Sequence, residues 1–329
     1  MTAFLVAIDW GTTHFRLRLV DADRSDMVAE VATDEGTASL ANARTMPERG
    51  KAFREVVQRA LDALGDALRQ CAKPPPVLVS GMASSSIGWQ ELPYGDVPWS
   101  LDGRDMITRE LDPVRSQAGT HRVILLSGVR TRDDVLRGEE TQLLGLFQLP
   151  RFGPLSQRCV VVLPGTHSKH LHVADGALAD FRTFMTGELF DIMSCQSILR
   201  HSVGAVESNA LGPNSKDAFL AGVRIAAELP LASALFRVRT NQLLHGSSSE
   251  ESRSRLSGIL IGGELGSLYG ALGENVPIVL CATQPLVVAY RWAAVELGLG
   301  DRLQEVPKAD FERLSALGQA CVARRLNVL

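Results

Sequence analysis

The segment FLVAIDWGTTHFRLRLVDAD, residues 4–23, decides the fold prediction. Apolar residues run into Asp9, a short loop of Gly11, Thr12 and Thr13 follows, and a second alternating segment then begins. A tight hairpin would need only Asn-Gly or Asp-Gly between its strands. Here the connection is longer, and it places a carboxylate and two hydroxyls beside a glycine. These groups suit a phosphate and its metal ion, so we predict a phosphate-binding loop with Asp9 for the metal.

The same pattern recurs at CVVVLPGTHSKHLHVADG, residues 159–176. One offset of 154 residues carries Gly11 to Gly165 and Asp21 to Asp175. Self-similarity on this scale predicts an internal duplication, in which each half has three antiparallel strands followed by helices and further strands. We therefore expect two such loops to hold one polyphosphate from both sides.

Periodicity and turn residues predict the remaining organisation of an α/β chain. Strands are predicted at 3–9, 15–21, 27–33, 77–80, 122–126 and 177–184, and helices at 47–71, 138–148 and 187–200. The Pro- and Gly-rich segment PRFGPLSQR, residues 150–158, is the best candidate for a domain boundary. The sequence therefore predicts domains at 1–150 and 151–329.

Composition limits the function classes. The 329 residues are 45% hydrophobic and carry a net charge of -3, which speaks against a nucleic-acid or membrane-surface binder with a basic face. Five widely spaced cysteines without a CxxC pair indicate free thiols in a reducing compartment. Apolar runs stay short of the roughly 18 residues that span a membrane. We expect a cytoplasmic protein with small-molecule partners, and a homo-oligomer stays open.

Five motifs taken together resemble the 2-dehydro-3-deoxygalactonokinase family. They are DWGTT (9–13), GMASSSIGWQELPY (81–94), RGEETQLLG (137–145), LPGTHSKH (163–170) and DFRTFMTGELF (180–190). That family belongs to the actin, Hsp70 and sugar-kinase superfamily. The resemblance implies two ribonuclease-H-like (actin-like ATPase) domains flanking a nucleotide cleft. It also implies ATP- and Mg²⁺-dependent phosphorylation of the C6 hydroxyl of 2-dehydro-3-deoxy-D-galactonate, in D-galactonate breakdown, with the C4 epimer left open as a substrate.

The resemblance implies a set of ATP- and phosphate-binding residues. They are Asp9, Gly11, Thr12, Thr13, Gly165, Thr166, His167, Ser168, Lys169, Gly262, Gly263 and Thr283, with Asp9 also holding Mg²⁺ through water. Lys169 is alternatively a solvated strand residue, and the two glycines at 262–263 alternatively serve close helix packing. His170 stands where the family usually has an aromatic residue, and Ala282 stands where it usually has glycine.

Two adjacent acids, Glu139 and Glu140, open the predicted helix at 138–148. The resemblance implies that one of them accepts the proton of the substrate hydroxyl or orders Mg²⁺, and the sequence leaves open which one. Acids in a first helical turn are also favoured by the helix dipole alone.

A substrate pocket is implied as well. Its candidates are Ser85, Trp89, Tyr94, Arg137, Arg182, Thr186 and Glu188. Arg137 and Arg182 are candidates for the substrate carboxylate, because arginine binds carboxylates bidentately; each alternatively forms a surface ion pair. Trp89 also suits core packing, and Thr186 also suits a helix cap.

Two other functions share features of this sequence. A phosphatase of the exopolyphosphatase and guanosine-pentaphosphate type has the same fold and a comparable Gly-Glu-Glu helix start. A non-enzymatic actin-like nucleotide-binding protein is the second alternative. The motifs GMASSSIGW and FMTGELF favour the kinase over the phosphatase. Against the second alternative, the sequence shows no DNA-binding helical domain and no obvious polymerisation insert.

Overall fold

The computed structural model describes residues 2–41, 45–204, 215–271 and 275–329, without the side chains of 269–271. The chain divides into two compact units. The first comprises Met1–Gln157, Val173–Asp180 and Glu312–Leu329, and the second comprises Arg158–His172 and Phe181–Phe311. The sequence prediction put the change of domain at 150–151 and gave everything after it to the second domain. In the structure a hairpin tip and the C-terminal segment return to the first unit.

The first unit is a mixed α/β structure. Its strands are β1 (Phe4–Trp10), β2 (Phe15–Asp21), β3 (Asp26–Thr33), β4 (Val77–Gly81), β5 (Gly95–Asp96), β6 (Trp99–Ser100), β7 (Thr108–Ser116), β8 (Gly119–Leu126), β9 (Val129–Arg130) and β10 (Val135–Leu136). Its first helices are α1 (Thr37–Ala41), α2 (Met46–Leu64), α3 (Asp66–Arg69) and α4 (Glu139–Gln148).

The main sheet of the first unit has the strand order β3-β2-β1-β4-β8-β7. The first three strands are antiparallel neighbours, and β4 and β8 then add in parallel to β1. The three predicted antiparallel strands are confirmed for this half. The strands β1 and β4 run in parallel, so their carboxyl ends lie at one edge of the sheet, where Asp9 pairs with Ser80.

The second unit carries the other half of the chain. Its strands are β11 (Arg158–Leu163), β12 (Ser168–Ala174), β13 (Ala177–Phe184), β14 (Ile278–Leu280) and β15 (Leu303–Glu305). The later helices are α5 (Thr186–Cys195), α6 (Arg200–Val203), α7 (Lys216–Glu228), α8 (Leu231–His245), α9 (Ser249–Ala271), α10 (Leu286–Glu296), α11 (Lys308–Phe311) and α12 (Leu314–Arg325), of which α12 belongs to the first unit.

The second sheet repeats the topology of the first. Its order is β15-β14-β11-β12-β13-β6, with β14 parallel to both β11 and β15. Three consecutive strands are again followed by two parallel strands on the other side of the first. The predicted Asp-Gly turn is present as well, since Asp175 and Gly176 have φ of 50° and 72°. The internal duplication is therefore confirmed at the level of the fold.

Some element bounds differ from the predicted ones for local reasons. The helix predicted at 47–71 stops at Leu64, because Gly65 has a φ of 45° and starts a short separate helix. The helix predicted at 187–200 ends at Cys195. The described residues contain no helix long and apolar enough to cross a membrane.

The helices α4 and α12 cross at a distance that only glycine permits. A Cβ atom on Gly145 would collide with the carbonyl oxygen of Leu314, and one on Gly318 would collide with that of Thr141. The same α12 is fixed to the sheet by Gln319, whose amide donates at 2.7 Å to the Ile8 carbonyl and at 2.7 Å to Ser80 Oγ. The C-terminal helix thereby joins α4 to β1 and β4.

Replacement of Gly318 by alanine tests this crossing. We expect Gly318→Ala to lower the free energy of unfolding by about 1–3 kcal/mol, because the new methyl group forces the two helices apart. The matched control is Gly266→Ala in α9, where an added Cβ atom meets no atom within 4 Å. That control should raise stability by about 0.5–1 kcal/mol through helix propensity. Equal effects in urea unfolding would contradict the close crossing.

Candidate active site

Asp9 lies at the carboxyl end of β1, on the same strand face as Leu5 and Ala7. Its carboxylate is partly buried, and Ser315 of α12 donates to Oδ2 at 3.4 Å. Burial raises the pKa of Asp9 above its ordinary value, against the opposing charges of Arg18 and Arg16. A carboxylate in this state gains from a cation nearby.

The first Gly-Thr loop follows directly and is held by backbone bonds. Gly11 donates its N–H to the His14 carbonyl at 2.8 Å, and the N–H of Thr37 donates to the Gly11 carbonyl at 3.1 Å. A Cβ atom on Gly36 would collide with the Thr12 carbonyl oxygen, so the start of α1 lies directly against the loop. The side chains of Thr12 and Thr13 are exposed.

The start of α4 lies against the carboxyl ends of β1 and β4. Gly138 has a φ of 107°, and a Cβ atom on it would lie 3.4 Å from the Cα of Gly81. Gly81 has a φ of 86°, and a Cβ atom on it would lie 2.7 Å from the Trp10 carbonyl oxygen. Three backbone segments therefore stack without side chains between them, and the first turn of α4 reaches the strand end that carries Asp9.

The structure distinguishes the two acids of this turn. Glu140 is fully buried; its Oε2 accepts the Gly138 N–H at 2.7 Å, and its Oε1 has no hydrogen-bond partner among the described residues. Burial raises the pKa of Glu140 to about 8, and the adjacent charge of Glu139 adds to the rise. Glu139 is partly exposed and accepts the backbone N–H of Arg137 at 3.1 Å.

Arg137 is held on three sides next to this turn. It donates to Ser84 Oγ at 2.7 Å and to the Leu92 carbonyl at 2.8 Å, and its guanidinium carbon lies 3.9 Å from the centre of the Tyr94 ring. Arg182, the other candidate for the substrate carboxylate, is exposed on β13. Its side chain makes no hydrogen bond or ion pair within the described ranges.

The other sugar-pocket candidates of the first unit lie differently. Ser85 donates to the Met82 carbonyl at 2.7 Å and is buried. Trp89 is 6% exposed and stacks on Phe53 at 6.1 Å, with Trp10 at 6.3 Å, so its ring belongs to the hydrophobic core. The alternative given for Trp89, core packing, describes what the structure shows.

A cavity of about 430 Å³ lies at the tip of the β9–β10 hairpin, which leads directly into Arg137 and α4. It is lined by Asp96, Val97, Arg130, Thr131 and Arg132. None of these five residues is among the site residues predicted from the sequence, although two arginines flank Thr131 between two short strands.

The second Gly-Thr loop rests on the first turn of α5. A Cβ atom on Gly187 would lie 2.6 Å from the Gly165 carbonyl oxygen, and the Glu188 N–H donates to the Thr166 carbonyl at 3.1 Å. The Glu188 carboxylate also meets His167 Nε2 at 2.6 Å. The second Gly-Thr loop and the first turn of α5 are therefore neighbours within the second unit.

Two residues next to this loop are buried. Lys169 is only 5% exposed and donates from Nζ to the His167 carbonyl at 3.2 Å, so it is not a solvated strand residue. Thr186 does not cap α5, whose N-cap is Met185; its hydroxyl instead donates to the buried carboxylate of Glu264.

Gly262 and Gly263, two of the candidates for ATP binding, lie inside α9. Gly262 serves close helix packing, since a Cβ atom there would lie 2.8 Å from Val223 Cα, whereas one on Gly263 would meet no atom within 4 Å. Thr283 follows the carboxyl end of β14, and its carbonyl accepts the Val287 N–H at 3.1 Å at the start of α10. Ala282 is buried in the core.

The described residues contain no cluster of three or more metal-ligating side chains. Mg²⁺ keeps most of its water and binds through one or two carboxylates plus substrate phosphates, so it needs no such cluster. Asp9, at the carboxyl end of β1, offers one partly buried carboxylate of this kind. Such a carboxylate fits a hydrated Mg²⁺ ion.

Two like sheets, each with a Gly-Thr hairpin loop, and a buried acid at a helix start define a phosphotransferase of the actin-like sugar-kinase fold class. Comparison with known sequences gives the family. The profile described as 2-keto-3-deoxy-galactonokinase matches residues 9–316, and the chain belongs to this family. The protein is therefore a kinase, a phosphotransferase with an alcohol acceptor, and its phosphate donor is ATP.

Three relatives support this assignment. A Rhizobium meliloti protein described as "Probable 2-dehydro-3-deoxygalactonokinase DgoK1" is 33% identical over 96% of this chain and 97% of its own. The Escherichia coli 2-dehydro-3-deoxygalactonokinase is 30% identical over 91% of each chain. A Sinorhizobium meliloti crystal structure assigned to the same enzyme has a TM-score of 0.77 at 32% identity, and covers 98% of this chain and 99% of its own.

The protonation of Glu140 should appear in the pH dependence of stability. Between its ordinary pKa of 4.5 and about 8, the folded protein keeps a proton that the unfolded chain has released. This group therefore makes the free energy of unfolding fall as pH rises, by about 1.4 kcal/mol per pH unit in that window. We expect Glu140→Gln to remove this contribution, so that the free energy of unfolding of the variant increases relative to that of the wild type as pH rises.

Urea unfolding from pH 5 to 9 measures the difference between the two proteins. The neighbouring variant Glu139→Gln is the control: it should only move the upper end of the window to lower pH, since it removes the smaller of the two causes. Parallel pH curves for wild type and Glu140→Gln would show that Glu140 does not hold the proton.

Proposed function

We propose that this protein transfers the γ-phosphoryl group of ATP to the C6 hydroxyl of 2-dehydro-3-deoxy-D-galactonate, in galactonate catabolism in the cytoplasm. The names of its relatives support the substrate. The observation that carries the mechanism is Glu140, a buried carboxylate with one unbonded oxygen in the first turn of α4.

Glu140 is the proposed general base. It takes the proton of the C6 hydroxyl as that oxygen attacks the γ-phosphorus and the bond from phosphorus to the ADP oxygen breaks. A base is most effective when its pKa lies near the working pH, and burial brings the pKa of Glu140 to about 8. Glu139 is the less suitable of the two, because it is partly exposed and already bonded to the Arg137 backbone.

The phosphates are the proposed ligands of the two Gly-Thr loops. In the first unit Gly11, Thr12 and Thr13 offer backbone and hydroxyl groups, and Asp9 holds Mg²⁺ through water. Bound Mg²⁺ would neutralise charge on the transferred phosphoryl group. In the second unit the contacts come from Gly165, Thr166, His167, Ser168 and Lys169, with Gly263 and Thr283 toward the adenosine.

Arg137 is the proposed ligand of the sugar acid. Its two described hydrogen bonds leave further N–H donors on a guanidinium that Tyr94 and Ser84 hold in place. The carbon chain of the substrate would extend toward the cavity of Arg130 and Arg132. Arg182, Thr186 and Glu188 are weaker candidates: the first is exposed, and the other two already bind within the second unit.

A coupled assay of ADP release tests the proposal. With ATP, Mg²⁺ and 2-dehydro-3-deoxygalactonate we expect substrate-dependent ADP release, and a side-by-side assay with the C4 epimer ranks the two substrates. Glu140→Gln should lower kcat by roughly 10²- to 10⁴-fold, whereas Glu139→Gln should have a much smaller effect. Phosphate release from polyphosphate without sugar would instead indicate a hydrolase. Folded protein without sugar-dependent ADP release would contradict the proposal.

Arg137 and Arg182 can be separated by substitution. Lysine keeps the charge of Arg137 but cannot keep the bonds to both Ser84 and the Leu92 carbonyl or the contact with the Tyr94 ring. We expect Arg137→Lys to reduce kcat/KM for the sugar acid about 10- to 100-fold with little change in KM for ATP. Arg182→Lys is the matched control and should stay near wild type. The reverse order would move the carboxylate site to Arg182.

A further inference from the structure

A buried carboxylate in the second unit takes no part in the proposed chemistry. Glu264 of α9 has a side chain 1% exposed, and it is surrounded by three polar groups. Its Oε1 lies 3.0 Å from His170 Nε2, and its Oε2 accepts the hydroxyls of Thr186 and, at 2.9 Å, of Tyr290. A carboxylate is retained at such depth only when several donors compensate its lost hydration.

The chain of hydrogen bonds continues to the second phosphate loop. The Tyr290 hydroxyl lies 3.2 Å from Ser168 Oγ, and Ser168 Oγ accepts the Gly165 N–H at 3.3 Å. Tyrosine has one hydroxyl proton, and the bond to Glu264 uses it. The Ser168 hydroxyl then has two acceptors, the Tyr290 oxygen at 3.2 Å and the Gly165 carbonyl at 3.5 Å. Donation to Tyr290, the shorter contact, leaves a Ser168 lone pair for the Gly165 N–H.

This ordering joins four elements at one point. Glu264 lies on α9, Tyr290 on α10, Thr186 on α5 and Ser168 on β12. All four side chains are buried. Buried hydroxyls and carboxylates lose much free energy when a hydrogen-bond partner is missing. The network therefore favours one orientation of the Gly165–Ser168 loop.

We propose that Glu264 and Tyr290 are positioning residues that hold the Gly165–Ser168 loop in its ATP-binding conformation. The inference rests on the proposed role of this loop as a phosphate site. Glu264 and Tyr290 themselves contact neither nucleotide nor sugar in this proposal. They act through Ser168, whose hydroxyl direction they set.

Tyr290→Phe removes only the hydroxyl that joins Glu264 to Ser168. We expect the Kd for ADP, measured by calorimetry without sugar, and the KM for ATP to rise about 3- to 10-fold, the effect of one hydrogen bond. The KM for the sugar acid should stay within about twofold of wild type. A purely structural role would lower Tm without this split between the two substrates.

Two further variants test the path of the effect. Glu264→Gln should raise the Kd for ADP in the same direction, and the double variant with Tyr290→Phe should be no worse than the poorer single variant, because both break one chain. Ser202→Ala is the matched control in the same unit: it loses a buried hydroxyl bond to Gln242 at 2.8 Å, and Ser202 is not a residue of the loop. It should lower Tm and leave both KM values unchanged.

Each outcome has one meaning. If wild type binds ADP and Tyr290→Phe binds it equally well, the positioning role is wrong. If Tyr290→Phe does not fold, Glu264→Gln replaces it, and unchanged ADP affinity in that variant also overturns the inference. If folded wild type binds neither ADP nor ATP, the proposed phosphate site itself is wrong.

Discussion

The first unit depends on the backbone contact between α4 and α12. Gly145 and Gly318 let the two helices meet at their carbonyl oxygens. Because Gln319 bonds α12 to β1 and β4, the contact also sets the distance between α4 and the sheet edge. The position of the first turn of α4 against the sheet therefore depends on these two glycines. The C-terminal segment also reaches Asp9, because Ser315 of α12 donates to its carboxylate.

Among the described residues, each unit contains one buried glutamate, and the two glutamates differ in their hydrogen bonds. Glu264 has three polar partners on its two oxygens. Glu140 has one backbone donor and an oxygen without any, and its neighbour Glu139 repels it. A carboxylate whose oxygens all have hydrogen-bond donors is a structural anchor, whereas an undercompensated one binds a proton near neutral pH and can exchange it with a substrate. A buried glutamate therefore has a different role in each unit.

The duplicated strands could be predicted because apolar alternation and a fixed offset are local signals, and β2 and β13 have the bounds expected of them. The choice between Glu139 and Glu140 could not, since it depends on which face of α4 meets α12, a contact formed by residues far away in the chain. Trp89 was ambiguous for a similar reason: only its neighbours Trp10 and Phe53 show that it is core. The return of α12 to the first unit likewise has no local signal.

The two halves share a further glycine, which the offset of 154 residues between the loops does not align. In both halves a glycine stands three residues after the third strand: Gly36 follows Thr33, and Gly187 follows Phe184. Each lies so close to its Gly-Thr loop that a Cβ atom would overlap the loop backbone, and the next residue donates its N–H to a loop carbonyl. From Gly36 to Gly187 is 151 residues, three fewer than the offset between the loops. The second hairpin turn is two residues shorter, and the second Gly-Thr loop, counted from its glycine, is one residue shorter. Each Gly-Thr loop is therefore built from a pair of segments, and the glycine of the second segment is as necessary to its shape as the glycine of the first.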